Sequence, residues 1–211
     1  MKTIVFTLVS DGSSDRALVP VVEWVLQHRL QIQYAFQINI ANTGLPPMSA
    51  GLQERLLRAH ALYPCDILLI HRDAEAMPHQ DRVDEVIAAA APLQGMGAVP
   101  VVPVRMLEAW LLADEVAIRR AAGNLHGAVN LVLPARAQWA TNPNPKQTLF
   151  ALLKAATELH GRRLAKFSPH AARYRIAELI SDFSYLEGIA AFDAMVNALR
   201  AQLVAHNLLE V

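Results

Sequence analysis

The chain has 211 residues, of which 54% are hydrophobic and only 18% are charged, so it is long enough to bury one substantial core in one main domain. Its 19 basic residues balance its 19 acidic residues, which excludes an overall positive field that would hold nucleic acid without specificity. The single cysteine excludes an internal disulfide, and without a leader pattern or a run of about 18 apolar residues we expect a cytoplasmic protein with no membrane partner.

The first half of the chain alternates short apolar runs with helical patterns. Residues 4–9, 35–41, 67–70 and 98–104 predict four strands, and the nearly continuous apolar character of the first run is typical of a parallel strand covered on both faces. Helical periodicity follows the first three strands. Two prolines in the fourth run favour an edge strand or an irregular end. This alternation predicts an α/β fold with a doubly wound, mainly parallel, four-stranded Rossmann-like sheet.

From Met106 onward the sequence shows helical patterns alone. Helical periodicity is strongest in the segments that begin near residues 106, 143, 168 and 188. We therefore predict an α/β core in residues 1–114 and a C-terminal helical layer in residues 115–211, packed together as one compact unit.

Acidic residues follow three of the four predicted strands. Asp11 and Asp15 follow the first strand in SDGSSD, Asp73 and Glu75 follow the third in HRDAE, and Glu108 follows the fourth in VRMLEAW. Because the carboxyl ends of parallel strands lie side by side, about 4.8 Å apart, these carboxylates can converge. A divalent cation with oxygen ligands would offset their repulsion, and Mg²⁺ suits a chain without paired histidines and cysteines.

The loop that contains Asp15 also suits a phosphate group. Gly12 permits a tight turn, and the amides of Ser13 and Ser14 lie where a helix N-terminus can receive a phosphate oxygen.

Each acid also has a purely structural explanation. Asp11 and Ser14 can cap a helix, Asp73 and Glu75 can be solvated loop residues, and Glu108 can complement a helix dipole. The location of the acids at three strand ends favours a functional site over these explanations.

The order of these motifs resembles a known fold. An apolar strand followed by an acid, glycine, two small residues and Asp, with a later strand followed by acid-x-acid, is similar to the TOPRIM domains of topoisomerases, bacterial primases, OLD-family nucleases and small ribonucleases that mature ribosomal RNA. The segments VPVRMLEAWLLAD, NPNPKQTL and DFSYLEGIAAFDAMVNAL resemble more closely the stand-alone bacterial TOPRIM-related proteins. With them the resemblance covers most of the chain, and the ordered set is more specific than any single motif.

The resemblance implies a TOPRIM-like core and a metal-dependent nuclease, with Mg²⁺ or Mn²⁺ as the cofactor. It implies that Asp11, where the family usually has Glu, is a metal ligand or general base, and that Asp73 and Glu75 replace an Asp-x-Asp metal pair. Glu108 matches a later metal-ligating acid, and Lys146 matches a recurrent lysine that can neutralise a transition-state phosphate. The two carboxylate substitutions change side-chain reach by about 1.5 Å, which bears on metal number and activity.

A DNA or RNA strand is the partner that the resemblance implies, and the balanced charge requires a local patch to hold it. We expect contacts to phosphate or nucleic acid from the residues around the acids, namely Gly12, Ser13, Ser14, Asp15, Arg72 and Arg105. Further candidates for the basic patch are His71, Arg119, Arg120, Arg162, Arg163, Lys166, Arg173 and Arg175.

Two other functions stay open. One is a catalytically silent TOPRIM-like module that binds a protein partner, such as an ATPase encoded nearby. The other is a Rossmann-like phosphate or nucleotide binder that uses DGSSD as its phosphate loop, although neither GxGxxG nor a P-loop GK[ST] is present. For the nuclease, the resemblance suggests a role in phage defence or mobile-element biology.

Overall fold

Four parallel strands form the centre of the fold, in a computed structural model that describes residues 3–93 and 95–210, apart from the side chains of Ser13 and Ser14. The strands are β1 (Thr3–Val9), β2 (Ala35–Ala41), β3 (Ile67–His71) and β4 (Gly97–Val101), in the order β2-β1-β3-β4. All three pairings are parallel, which confirms the predicted four-stranded α/β sheet.

The burial of each strand follows its position in the sheet. Every residue of β3 is buried, because its sequence ILLIH is apolar up to the final histidine and helices cover both faces. The edge strand β4 alternates buried and half-buried residues and carries Pro100, which cannot donate a backbone hydrogen bond. The edge position agrees with the prediction, but β4 ends at Val101, before Pro103, three residues earlier than predicted.

Two layers of helices cover the sheet. One face packs against α2 (Leu52–Leu62) and α3 (His79–Ala90). The opposite face packs against α1 (Leu18–Trp24) and buried residues from the second half of the chain. The helices of that half are α4 (Glu115–Ala121), α5 (Arg136–Trp139), α6 (Pro145–Thr157), α7 (Gly161–Lys166), α8 (Pro169–Leu179) and α9 (Ala190–Ala205). Short 3₁₀ turns lie at Ser13–Ala17, Met48–Ala50, Leu107–Leu111 and Ser184–Leu186, and a π turn extends α1 over Val25–Arg29.

The helical pattern that begins at Met106, which fits either one helix or two, forms two separate elements. A 3₁₀ turn occupies Leu107–Leu111, and α4 begins only at Glu115. Asp114 separates them because its side chain accepts a hydrogen bond from the Ala117 amide at 2.8 Å, as an N-cap residue does. The turn that carries Glu108 is therefore short, and the loop of residues 102–106 connects it to β4.

One hydrophobic core joins the sheet to the second half of the chain. Buried residues of β1, β3 and β4 belong to the same cluster as buried residues of α6, α8 and α9. Trp110 and Phe192 pack edge to face within it, with ring centroids 5.7 Å apart. Among the described residues, no helix is both long enough and apolar enough to cross a bilayer.

Candidate active site

Two clefts open at the carboxyl end of the sheet, on either side of the loop that follows β1. The first, here the acidic cleft, has a volume of about 210 Å³ and is lined by polar side chains from five separate stretches of the chain, namely Asp15, Asp73, Glu75, Glu108, Lys146 and Arg173. The second, here the Arg55 cleft, has a volume of about 250 Å³ and lies between the ends of β1 and β2. Ligands of parallel α/β sheets bind at this end.

The loops that follow β3 and β4 stay paired beyond the strands. The Glu75 amide donates to the Arg105 carbonyl at 2.9 Å, and the Arg105 guanidinium donates back to the Glu75 carbonyl at 3.2 Å. Both residues have left-handed backbone angles, with φ of 52° and 65°. A non-glycine residue in this region costs on the order of 1 kcal/mol, so the paired loops hold Glu75 at the cleft in a conformation that a free loop would not favour.

Asp73 is the most strongly perturbed acid of the cleft. Its Oδ1 accepts a hydrogen bond from the Leu107 amide at 3.0 Å, which fixes the start of the turn that carries Glu108. The pKa of Asp73 is raised from its ordinary value of 3.8 to about 6, mainly by burial and further by the charges of Glu108 and Asp15, against the lowering effect of His71 and of the Leu107 amide. The raised pKa therefore reflects mainly burial, with repulsion from the neighbouring acids as a smaller contribution.

His71 is buried between two of these acids. Its Nδ1 lies 2.9 Å from the Val101 carbonyl, which can only accept, so Nδ1 carries a proton. Its Nε2 faces Asp73 at 3.6 Å and Asp15 at 3.9 Å, both beyond hydrogen-bonding distance. The sequence interpretation placed His71 only among basic-patch residues. A polar residue at the end of an otherwise apolar buried strand was the signal that could have marked it.

Glu108 is already paired. It is buried in the 3₁₀ turn after β4, and one carboxylate oxygen contacts Nη1 of Arg173, a buried residue of α8. The pair joins the sheet half of the chain to the helical half. Arg173 was predicted to belong to a basic patch. In the structure, Glu108 already neutralises its charge.

Lys146 reaches the acidic cleft from the first turn of α6. Asn144 caps this helix, accepting from the Gln147 amide at 3.1 Å, and Pro145 occupies its first position. A cation in the first turn opposes the helix dipole. The position is therefore explained better by the acids across the cleft than by the stability of α6.

The structure does not bring Asp11 into the acidic cleft. Asp11 lines the Arg55 cleft instead, and its carboxylate lies 3.0 Å from Nε of Arg72. Arg72 also contacts Glu85 on α3 at 3.3 Å, so Asp11 ends a chain of surface ion pairs. Burial raises the pKa of Asp11, with Arg72 opposing that effect.

Asp15 takes the place in the acidic cleft that Asp11 was expected to have. The Gly12 amide donates to Oδ2 of Asp15 at 3.0 Å, and the 3₁₀ turn Ser13–Ala17 brings Asp15 round toward β3. The Gly12 amide, a predicted phosphate contact, is thus engaged by a carboxylate. The predictions for the Ser13 and Ser14 side chains lie outside the described residues.

Among the basic residues predicted for nucleic acid, His71 is buried and Arg105 donates to the Glu75 carbonyl, and the others divide into two groups. Arg72, Arg119 and Arg173 form ion pairs with acids of the same chain. The other group is exposed on α4, α7 and α8 and consists of Arg120, Arg162, Arg163, Lys166 and Arg175.

The donors fit a divalent cation only in part. In residues 3–93 and 95–210, no three His, Cys, Asp or Glu side chains form a group that could by itself hold a metal ion. Mg²⁺, however, usually takes one or two carboxylates and completes its shell with water and substrate phosphate. Asp73 and Glu75 can supply such a pair, whereas Glu108 and Asp11 already have arginine partners.

No protein-family model, curated protein or solved structure matches the chain. The TOPRIM resemblance is therefore supported only as far as a four-stranded, all-parallel α/β sheet.

Proposed function

We propose that the protein is a TOPRIM-type phosphodiesterase that cleaves a DNA or RNA strand at the acidic cleft with the help of Mg²⁺ or Mn²⁺. One observation carries the proposal: the pKa of Asp73 is raised to about 6 in a cleft that it shares with Glu75, Glu108 and Lys146 at the carboxyl end of the sheet. An acid with a perturbed pKa that lies in a cleft beside other charged side chains is a candidate for a functional site. A bound cation would relieve their repulsion, since the arginines present neutralise only some of the acids.

Asp73 and Glu75 would hold the cation in this proposal. Bound there, it would supply the positive charge that stabilises phosphoryl oxygens during hydrolysis. Asp73 also fixes the turn at Leu107, so the cation ligand and the Glu108 turn are held as one unit.

The remaining side chains bind and orient the substrate. Lys146 would offset charge on the phosphate from the opposite wall of the cleft. Glu108 positions Arg173 at the cleft wall. Asp11 acts from outside the cleft, by holding Arg72.

A catalytically silent binding module is the second candidate. It is favoured by the arginine partners of Asp11 and Glu108, which neutralise two of the four predicted metal ligands. Such a module would bind a partner or nucleic acid through the same face without cleaving it.

The test compares Asp73→Asn with Asp84→Asn, a change of an exposed acid on α3. Each protein is incubated with single- and double-stranded DNA and RNA, with Mg²⁺, with Mn²⁺ and with EDTA. We expect cation-dependent cleavage that falls at least about 100-fold in Asp73→Asn and is unchanged in Asp84→Asn. Equal cleavage by the two variants would reject the site. Thermal stabilisation by Mn²⁺ without cleavage by the unmutated protein would support the silent module.

A further inference from the structure

Arg55 is a buried cation at the end of the sheet that lies outside the acidic cleft. It belongs to α2, is only 8% exposed and lines the Arg55 cleft. Its Nη2 donates to the Ser10 carbonyl at 2.9 Å, and its Nη1 donates to the Pro46 carbonyl. Its Nε is buried and has no acceptor in the described part of the chain. Arg55 therefore has N–H groups without an acceptor, and the acceptors that it does have are uncharged carbonyl groups.

The other buried arginines show what Arg55 lacks. Arg82 pairs with Glu85, Arg119 pairs with Glu115, and Arg173 pairs with Glu108. No such pair forms at Arg55 within residues 3–93 and 95–210. A buried charge is expensive unless an opposite charge compensates it. This difference points to an anion supplied from outside the chain.

The nearest acid does not fill this role. Asp11 lines the same cleft, and the two charges attract each other, which lowers the pKa of Asp11 slightly against the effect of burial. The Asp11 carboxylate lies 3.0 Å from Nε of Arg72, however, and does not reach Arg55 at ion-pairing distance. Because Arg72 neutralises Asp11, its carboxylate repels an incoming anion less than an unpaired acid would.

The loop across the cleft from Arg55 is held in place by its own contacts. The Tyr63 hydroxyl donates to the Thr43 carbonyl at 3.0 Å and accepts from the Thr43 amide at 3.1 Å. Nε of Arg58 donates to the carbonyl of Gly44, whose φ is 72°. The loop therefore keeps its shape without a ligand, and Asn42 beside it is one of the residues that line the cleft.

We propose that the Arg55 cleft is a phosphate-binding subsite, with Arg55 as its charged donor and Asn42 as a polar contact. An arginine with unused N–H groups suits phosphate oxygens. The cleft shares the loop after β1 with the acidic cleft, so, on the basis of the proposed function, the phosphate belongs to the nucleic-acid strand that is cleaved in the acidic cleft. A free mononucleotide or phosphate ion offers the same chemistry, and the experiment separates these sources.

The direct test follows the Arg55 Nε–H signal by NMR in the unmutated protein, without divalent ions. The protein is titrated in parallel with inorganic phosphate, a mononucleotide and a ten-nucleotide single strand. A shift of this signal with the strand, at lower concentration than with the mononucleotide, supports a strand phosphate. Equal shifts at equal concentrations of strand and mononucleotide support a free nucleotide and overturn the strand assignment. No shift with any of the three overturns the subsite.

A salt titration tests the contact between Arg55 and phosphate. It measures the slope of log affinity against log salt, which an arginine with a purely structural role would not change. We expect Arg55→Gln to weaken binding of the single strand about tenfold and to reduce the slope of log affinity against log salt by about 0.7. Arg200→Gln, an exposed arginine on α9, should change neither. Arg55→Lys keeps the positive charge and should retain the slope. This variant provides a second test if Arg55→Gln does not fold. A slope unchanged by Arg55→Gln would contradict the proposal.

The two proposals fail independently. If the protein binds the strand but never cleaves it, the Arg55 signal still shifts and only the phosphodiesterase proposal is lost. If cleavage depends on Asp73 but the Arg55 signal does not move, only the subsite is lost.

Discussion

Asp73 shows how one side chain can be held between opposing influences. The Leu107 amide and His71 favour its charged form, while burial, Glu108 and Asp15 favour the protonated form. The second group prevails, so the folded protein binds a proton at Asp73 more tightly than the unfolded chain does. The contribution of this proton to the free energy of unfolding is fully present below about pH 4, and it is lost as the pH rises through about 6.

Asp73→Asn tests this balance, because asparagine keeps an oxygen for the Leu107 amide and cannot become charged. The side chain is 30% exposed, so we expect a gain of only about 1–2 kcal/mol in the free energy of unfolding at pH 7. The gain should disappear near pH 4. Urea denaturation at the two pH values measures it, with Asp84→Asn as the control. A gain of the same size at both pH values would show that the charge of Asp73 is not its source.

Glu108 and Arg173 give a second prediction at this scale. Glu108→Gln leaves the buried guanidinium of Arg173 without a counter-charge, which should lower the free energy of unfolding by about 3–5 kcal/mol. Adding Arg173→Met removes the stranded charge and should recover most of the loss. Urea denaturation of both variants measures these changes. A double variant no more stable than Glu108→Gln would contradict the prediction.

Helix α6 carries a lysine near each end, and the helix dipole disfavours one of these lysines and favours the other. Lys146 lies in its first turn, where the dipole disfavours a cation, and Lys154 lies toward its end, where the dipole favours one. Only the first of these lysines lines the acidic cleft. The helix therefore contains its own control for separating stability from function.

Lys146→Met should leave stability unchanged or raise it by about 0.5 kcal/mol, because it removes an unfavourable charge. The same change should reduce cleavage about 100-fold, because the phosphate loses a positive partner. Lys154→Met should lower stability by about 0.5 kcal/mol and leave cleavage intact. Thermal denaturation and a cleavage assay on the two variants provide the comparison. If both variants cleave at the same rate, Lys146 has no role in the reaction.

For the whole molecule, the shared core means that the sheet and the C-terminal helices depend on each other. Phe192 is fully buried against Trp110, although α9 is the last helix of the chain. Unfolding should therefore be one cooperative event that includes both halves.

Phe192→Ala should lower the free energy of unfolding by about 3–5 kcal/mol through the cavity that it leaves. Far-ultraviolet circular dichroism and tryptophan fluorescence should still report the same midpoint. Val132→Ala, at a side chain that is 80% exposed, should change stability by less than about 0.5 kcal/mol. Two separate midpoints in Phe192→Ala would mean that the halves fold on their own.

The sheet was predictable because its signals are local, whereas much of the site was not. Short strand-like runs predicted four strands, and acids that follow three of those runs marked the end of the sheet where the site lies. Which acid faces β3 depends instead on the path of the backbone after β1: Gly12 is extended, and the turn behind it carries Asp15, not Asp11, to the cleft. The arginine partner of Glu108 and the Ser10 partner of Arg55 come from distant segments, so no spacing in the sequence could reveal them.

The ion pair between Glu108 and Arg173 also has a consequence for how the protein is made. The two residues are 65 positions apart, so Glu108 leaves the ribosome well before its counter-charge has been translated. Until α8 emerges, the nascent sheet carries an acid that has to stay hydrated, and the segment around it cannot close. Truncated products that end before Arg173 would lack the counter-charge that allows this acid to be buried, so the turn at Glu108 could not pack as it does in the full chain.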